Sequence, residues 1–130
     1  MEMEITFGGG KKVGALYKGF THATDQPPED GGEGSAPEPL DLFFVALSTC
    51  TAYTMLSFCQ SRKIETDGME VRVKLEMGED GKKVARVRHE LRLPEDFPPK
   101  YAKAMVRAAG TCSVKRYLKD PPEVETVVVS

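Results

Sequence analysis

The chain has 130 residues and a mass of 14.3 kDa, the size of one domain with a single hydrophobic core. Its formal net charge is −2 and its sequence pI is about 5.7, with lysine and arginine spread along the chain. A general nucleic-acid-binding surface needs clustered basic residues, so these values exclude one. We therefore predict one domain over residues 1–130 that binds no nucleic acid.

The start of the chain carries no recognisable secretory signal, because residues 1–4 are acidic and an alternating segment follows them. The longest apolar run, residues 42–47, is much shorter than the ~20 residues that cross a bilayer. We therefore expect a cytoplasmic protein with no membrane partner. In that reducing compartment, cysteines are free or catalytic thiols more often than a structural disulfide framework.

The N-terminal part of the chain predicts strands followed by a long loop. Apolar and polar residues alternate over residues 3–7 and again over residues 13–17, and the glycines at 8–10 form a turn between them. Prolines and glycines are dense over residues 25–39, which predicts an irregular loop. A loop of this length in a small domain is usually functional or mobile.

One long helix is predicted from Pro39 to Lys63. Pro39 suits the first helical turn, Asp41 matches the positive end of the helix dipole, and Arg62 and Lys63 match the negative end. The apolar residues cover more than one face, so the helix should be buried on most sides. Because so small a chain can hardly wrap such a helix alone, we expect a homodimer to bury the remaining face.

The second half of the chain predicts a hairpin, two helices and a last strand. Strict alternation over residues 69–77, and the apolar residues spaced along 84–93, indicate two antiparallel strands around a glycine-containing turn. Helices are expected over residues 100–109 and 112–119, and a final strand over residues 124–129. Together with the first half, this order of elements predicts the α+β class.

The three cysteines differ in how their positions affect the thiol. Cys50 lies about three turns inside the long helix, where the helix dipole acts weakly, so the residues alone slightly favour a structural role. Cys59 faces nearly opposite to Cys50 on the same helix, which favours packing. Cys112 begins a helix with Lys115 and Arg116 one turn away, the better position for a thiolate. Whether it is reactive or a buried cap stays open at this point.

The two histidines predict no metal site. His22 and His89 are far apart in the sequence, and neither has a ligand spacing to any cysteine. His89 is expected on a strand, facing solvent or a neighbouring side chain, and His22 either lines a pocket or makes a loop-edge hydrogen bond. Because the glycines at 8–10 precede a strand and not a helix, we expect no phosphate-binding loop. We also expect no bound cofactor.

Two segments of the chain resemble the OsmC/Ohr family of thiol-dependent peroxidases, and specifically its OsmC-like branch. The similarity covers the chain from about residue 21 to the C-terminus. The first segment comprises Asp25-Gln26-Pro27, Gly31-Gly32, residues 37–42 and Ala46-Leu47-Ser48-Thr49-Cys50-Thr51-Ala52, and the second comprises Cys112-Ser113-Val114 with Leu118.

The resemblance implies a fold and a reaction. The fold is an intertwined homodimer in which antiparallel sheets wrap long central helices. The reaction is the reduction of organic hydroperoxides in oxidative stress defence: Cys50 attacks the peroxide and becomes a sulfenic acid, Cys112 condenses with it to a disulfide, and an external dithiol reduces that disulfide. An apolar pocket lined by Phe43, Phe44 and Tyr53 would favour organic hydroperoxides over hydrogen peroxide.

The sequence departs from the family pattern at the groups that activate the first cysteine. Leu40 stands where active members carry a glutamate, with Glu38 and Asp41 nearby, and no arginine precedes Arg62. Lysine does not replace an arginine at a site that needs two parallel hydrogen bonds. The alternatives are therefore a redox-sensing or ligand-binding protein with little turnover, and a purely structural domain with buried cysteines.

Overall fold

The computed structural model describes residues 1–129, and its elements have the predicted α+β order. The strands are β1 (Glu4–Phe7), β2 (Val13–Tyr17), β3 (Phe20–Thr24), β4 (Glu70–Met77) and β5 (Val84–Arg92); the helices are α1 (Pro39–Ser61), α2 (Ala102–Ala109) and α3 (Ser113–Lys119). Short 3₁₀ turns occur at Pro28–Asp30 and Pro99–Tyr101. The chain forms two compact units, unit 1 over residues 1–45 and unit 2 from Ala46 onward, and α1 belongs to both. The single domain over residues 1–130 remains a prediction.

Unit 1 contains an antiparallel sheet in the order β1-β2-β3. Ile5 lies opposite Ala15, and Ala15 lies opposite His22 on the third strand. The tight turn between β2 and β3 places Lys18 at φ 51° and Gly19 at φ 81°, the left-handed pair that suits the twist of a two-residue hairpin. The alternating patterns seen in the sequence therefore become the two strands that they predicted, with a third strand added.

In unit 1, the buried carboxylate of Asp25 holds the loop over residues 25–39 in one conformation through hydrogen bonds. Asp25 is 1% exposed and accepts hydrogen bonds from the backbone N–H groups of Gln26 (2.8 Å) and Ser35 (3.0 Å) and from the Ser35 hydroxyl (2.6 Å). The Ser35 hydroxyl, followed by these two N–H groups, lowers the pKa of Asp25 to about 2. Because the folded pKa is depressed, this stabilisation is complete above the ordinary aspartate pKa and is lost as the pH falls towards 2. The proline- and glycine-rich loop thus has an ordered connection leading to α1.

Unit 2 contains the predicted hairpin, in which β4 and β5 pair antiparallel with Val73 opposite His89. Charged side chains pair on its surface, for example Lys74 with Glu90 at 3.0 Å. Such exposed pairs contribute little to stability. Partly buried Val71 and Leu91 instead attach the hairpin to the core of this unit.

The core of unit 2 lies between the C-terminal half of α1 and helix α2. Its buried residues are Met55, Phe58, Cys59, Phe97, Met105 and Ala109. Cys59 and Met105 are both fully buried, and their sulfur atoms are 3.6 Å apart. The packing role predicted for Cys59 is confirmed, and burial raises the pKa of its thiol, as expected for an unreactive cysteine.

The predicted last strand is wrong. Residues 121–129 adopt no regular structure, and the valines there are exposed, with Val128 fully so. The β-branched residues have the side chains of a strand, but backbone N–H and C=O groups also need a partner strand. Within residues 1–129, no strand pairs with this segment.

Helix α1 starts at Pro39 as predicted and ends two residues earlier than expected. Lys63 has a left-handed backbone with φ 55°, and the Ile64 N–H donates to the Cys59 carbonyl at 2.9 Å, which closes the helix end. Only one stripe of the helix is buried in this chain; it contains Leu47, Thr51, Met55, Phe58 and Cys59. The prediction that the helix is buried on most sides is therefore not met by one copy alone.

Helix α1 has 23 residues and contains an 18-residue stretch with a mean hydropathy of 1.6, so by length and composition it could cross a membrane. The sequence criterion based on the longest apolar run missed this property. Core helices of soluble proteins meet the same test, so length and composition alone do not distinguish the two environments.

Candidate functional site

Two cysteines that are distant in the sequence meet within unit 2. Cys50 lies on α1 and is partly exposed, whereas Cys112 immediately precedes α3 and is 2% exposed. Both are free thiols, and the Cys50 side chain is close enough to Cys112 to contribute to the lowering of its pKa. The structure thus brings together the two predicted site residues and leaves one of them more accessible than the other.

Thr51 is the polar residue nearest to the buried thiol. It is 1% exposed, its hydroxyl donates to the Leu47 carbonyl at 2.8 Å, and its Oγ1 atom is 3.8 Å from the Cys112 sulfur. Thr51 is not among the site residues predicted from the sequence. The sequence did contain a signal for it, because Thr51 places a hydroxyl between the apolar residues Leu47 and Met55 on the same face of α1.

The electrostatic surroundings of Cys112 favour its thiolate. Burial is the largest single influence and raises the pKa, but the Lys115 backbone N–H, the Thr51 hydroxyl, the Cys50 thiol and the Lys115 ammonium together lower it below its ordinary value. The Lys115 backbone N–H lowers the pKa of Cys112, although the Cys112 side chain makes no capping hydrogen bond to α3. Cys112 precedes α3 as expected from its sequence position, and Lys115 is a cation that lowers its pKa.

A serine and a histidine form a second polar contact on α1. The His89 Nε2 atom is 3.1 Å from the Ser48 hydroxyl oxygen, and both side chains are partly buried. Burial, and then the positive charge of Lys115, lowers the pKa of His89. Of the two environments that the sequence left open for His89, the structure selects a neighbouring side chain.

Several other residues singled out in the sequence lie in unit 1. His22 lines a cavity of about 260 Å³ on the three-stranded sheet. Burial, followed by the charge of Asp41, raises the pKa of Glu38, and Leu40 is 63% exposed. Lys12 forms an ion pair with Glu33 at 2.8 Å. Within residues 1–129, no group of three or more histidine, cysteine, aspartate or glutamate side chains has a geometry that holds a metal ion.

A partly exposed thiol close to a buried thiol, in an α+β fold with antiparallel sheets and three helices, defines a paired-cysteine protein. The family described as OsmC-like protein matches residues 32–127, which is most of the chain. The chain therefore belongs to the OsmC family. No curated protein sequence matches it.

Solved structures of this family share the fold. A Psychrobacter arcticus protein provisionally named for osmotic stress induction and detoxification response is 23% identical, with a TM-score of 0.73 over 88% of this chain and 85% of that chain. An OsmC-like protein from Mycoplasma pneumoniae is 13% identical, with a TM-score of 0.69 over 92% and 87%. An organic hydroperoxide resistance protein OsmC from Legionella pneumophila is 20% identical, with a TM-score of 0.55 over 91% and 88%. At these identities the likeness establishes the fold alone.

Proposed function

We propose that this protein is a cytoplasmic, thiol-dependent peroxidase that reduces organic hydroperoxides in oxidative stress defence. The observation that carries the proposal is the proximity of a partly exposed Cys50 to a buried Cys112, whose sulfur lies 3.8 Å from the hydroxyl of Thr51, the residue next to Cys50. Membership of a family in which some proteins are named for organic hydroperoxide resistance supports the substrate class.

In the proposed cycle, the Cys50 thiolate attacks the terminal oxygen of the hydroperoxide. The O–O bond breaks, the alkoxide leaves and takes up a proton as an alcohol, and Cys50 becomes a sulfenic acid. The Cys112 thiolate then attacks the Cys50 sulfur, hydroxide leaves as water after protonation, and a disulfide forms. An external dithiol reduces this disulfide, so the cycle needs no bound cofactor and no metal.

The test is a brief hydroperoxide pulse followed by mass spectrometry of the wild type and the Cys112→Ser variant. We expect a Cys50–Cys112 disulfide in the wild type and a sulfenic acid trapped on Cys50 in the variant, because the second thiol is then missing. Cys59 should stay reduced in both, since it is fully buried. Unmodified Cys50 after the pulse would contradict the proposal.

A second function, redox sensing or ligand binding with little turnover, is favoured by one feature of unit 1. Leu40 occupies the position of the family's activating glutamate and is 63% exposed, and no arginine precedes Arg62 in the sequence. Hydroperoxide consumption that stops at one equivalent per protein, with dithiol in excess, would select this alternative. Continued consumption would select the peroxidase.

We further propose that the working form is a homodimer. Both units expose large apolar side chains in the single chain, including Phe7 (85%) and Phe20 (69%) in unit 1 and Tyr53 (67%) and Met77 (52%) in unit 2. A soluble protein rarely leaves so much apolar surface in water. Sedimentation equilibrium should therefore give twice the chain mass of 14.3 kDa. A mass of one chain at micromolar concentration would contradict a dimer.

A further inference from the structure

The two sulfur atoms of the site differ in access and in surroundings, and this difference bears on how the disulfide is reduced. A thiolate attacks one sulfur of a disulfide, and the other sulfur leaves with the electron pair of the broken bond. Which sulfur is attacked depends on access, and which leaves depends on the stability of the departing thiolate. In this structure, both factors distinguish Cys50 from Cys112.

We propose that the reducing dithiol attacks Cys50, that Cys112 departs as the thiolate, and that Thr51 and Lys115 are the positioning residues that set this order. The inference rests on the proposed function, since it concerns the step that regenerates the paired thiols. It assigns roles to two side chains that are not part of the sulfur chemistry itself.

Access favours attack at Cys50. In the single chain, Cys50 is partly exposed, whereas Cys112 is 2% exposed and lies next to the buried Thr51. A dithiol reaches the outer sulfur without opening the unit. It reaches the inner sulfur only if the packing around Cys112 opens.

Thr51 is placed to stabilise the departing thiolate. Its hydroxyl now donates to the Leu47 carbonyl, with its oxygen 3.8 Å from the Cys112 sulfur. That carbonyl also accepts the regular helical N–H of Thr51, so it keeps a partner when the hydroxyl proton turns towards the sulfur. A rotation about one side-chain bond thus supplies a hydrogen bond to the new negative charge, and such charge-assisted hydrogen bonds are the stronger ones.

Lys115 supplies the positive charge. Lys115 lies in the first turn of α3, and its ammonium group donates to the Ala109 carbonyl at the end of α2 at 3.0 Å, which holds the side chain beside the segment that contains Cys112. Both the ammonium and the backbone N–H of Lys115 favour the Cys112 thiolate. A thiol with a lower pKa leaves a disulfide faster, so these contacts accelerate reduction when the bond breaks towards Cys112.

Reduction of the disulfide takes two successive thiol–disulfide exchanges. One thiolate of the dithiol forms a bond to the Cys50 sulfur, the Cys50–Cys112 bond breaks, and its electron pair goes to Cys112. The second thiol of the reductant then attacks its own first sulfur in the mixed disulfide. Cys50 is released as a thiol, and the reductant leaves as a cyclic disulfide.

The direct test uses a monothiol, which stops after the first attack. Wild-type protein is oxidised with diamide, freed of oxidant, mixed briefly with glutathione, quenched with acid and mapped by mass spectrometry. We expect glutathione on Cys50 and a free thiol on Cys112. Glutathione on Cys112 overturns the inference but leaves the peroxidase proposal intact. Failure of diamide to form the Cys50–Cys112 disulfide overturns both.

The positioning roles are tested with Thr51→Val and Lys115→Met. Each should slow reduction of the disulfide by dithiothreitol by about 3–10-fold, because the departing thiolate loses a stabilising contact. The matched control is Thr54→Val, since the Thr54 hydroxyl also bonds a carbonyl one turn earlier on α1, at 3.0 Å from the Cys50 carbonyl oxygen. That variant should reduce at the wild-type rate.

A pH profile separates positioning from a general structural effect. In a Cys50→Ser background, the pH dependence of Cys112 alkylation should move to higher pH when Thr51→Val or Lys115→Met is added. Thr51→Ser, which keeps the hydroxyl, should restore the original profile. If neither Thr51→Val nor Lys115→Met changes the pH profile of Cys112 alkylation or the rate of disulfide reduction, the positioning roles are wrong. This conclusion also holds for variants whose thermal unfolding is unchanged.

Discussion

Replacing Cys50 by serine is expected to lower the steady-state rate of organic hydroperoxide reduction by roughly 10³-fold or more, because the proposed cycle loses its nucleophile. A serine hydroxyl at this position has a far higher pKa than a thiol and is a much weaker nucleophile towards peroxide oxygen. The measurement is hydroperoxide consumption with dithiothreitol in excess. Since Cys50 is already partly exposed on α1, the substitution should leave the fold unchanged.

The matched control for this variant is Cys59→Ala, on the same helix. Cys59 is fully buried in the core of unit 2, and burial raises the pKa of its thiol. We therefore expect the control to keep the wild-type rate within about 2-fold, in line with a packing role that contributes no chemistry. If turnover survives in Cys50→Ser and disappears in Cys59→Ala, the reactive thiol is Cys59 and the proposed cycle is wrong.

Most of the fold is readable from local patterns. The hairpin β4–β5 appears in the sequence because strict alternation specifies which residues share a face, and the structure changes its ends by one residue. The start of α1 was predictable from Pro39 for an equally local reason. Residues 124–129 show the limit: a strand needs a neighbour, and the sequence of the segment carries no information about whether one is present.

The site was only partly predictable, because the two thiols signal their roles differently. Cys112 precedes a helix and has a lysine one turn away, so neighbouring residues in the sequence already indicate a position that favours the thiolate. Cys50 lies in the interior of α1, where position alone favoured a structural role, and only the family resemblance singled it out. Thr51 and the Ser48–His89 pair depend on contacts between distant segments, which no local pattern predicts.

The arrangement of unit 2 connects the site to the core beneath it. Helix α1 presents Thr51 towards Cys112 and, one turn later, Met55 towards the apolar cluster, so both are held by the same rigid element. The polar contacts of the site are thus positioned by the packing of α1 against α2. A substitution that weakens this packing should therefore lower the free energy of unfolding more than it lowers the reactivity of the thiols.

Met105→Ala is accordingly expected to reduce the free energy of unfolding by about 2–5 kcal/mol, through lost apolar burial and the cavity that remains. Met105 is fully buried on α2, and its sulfur touches that of Cys59 at 3.6 Å. The measurement is urea unfolding followed by circular dichroism. Val106→Ala on the same helix is the control, because Val106 is 58% exposed and its truncation should change the free energy by less than about 0.5 kcal/mol. Equal effects of the two substitutions would mean that α2 does not hold the core of unit 2 as the contacts indicate.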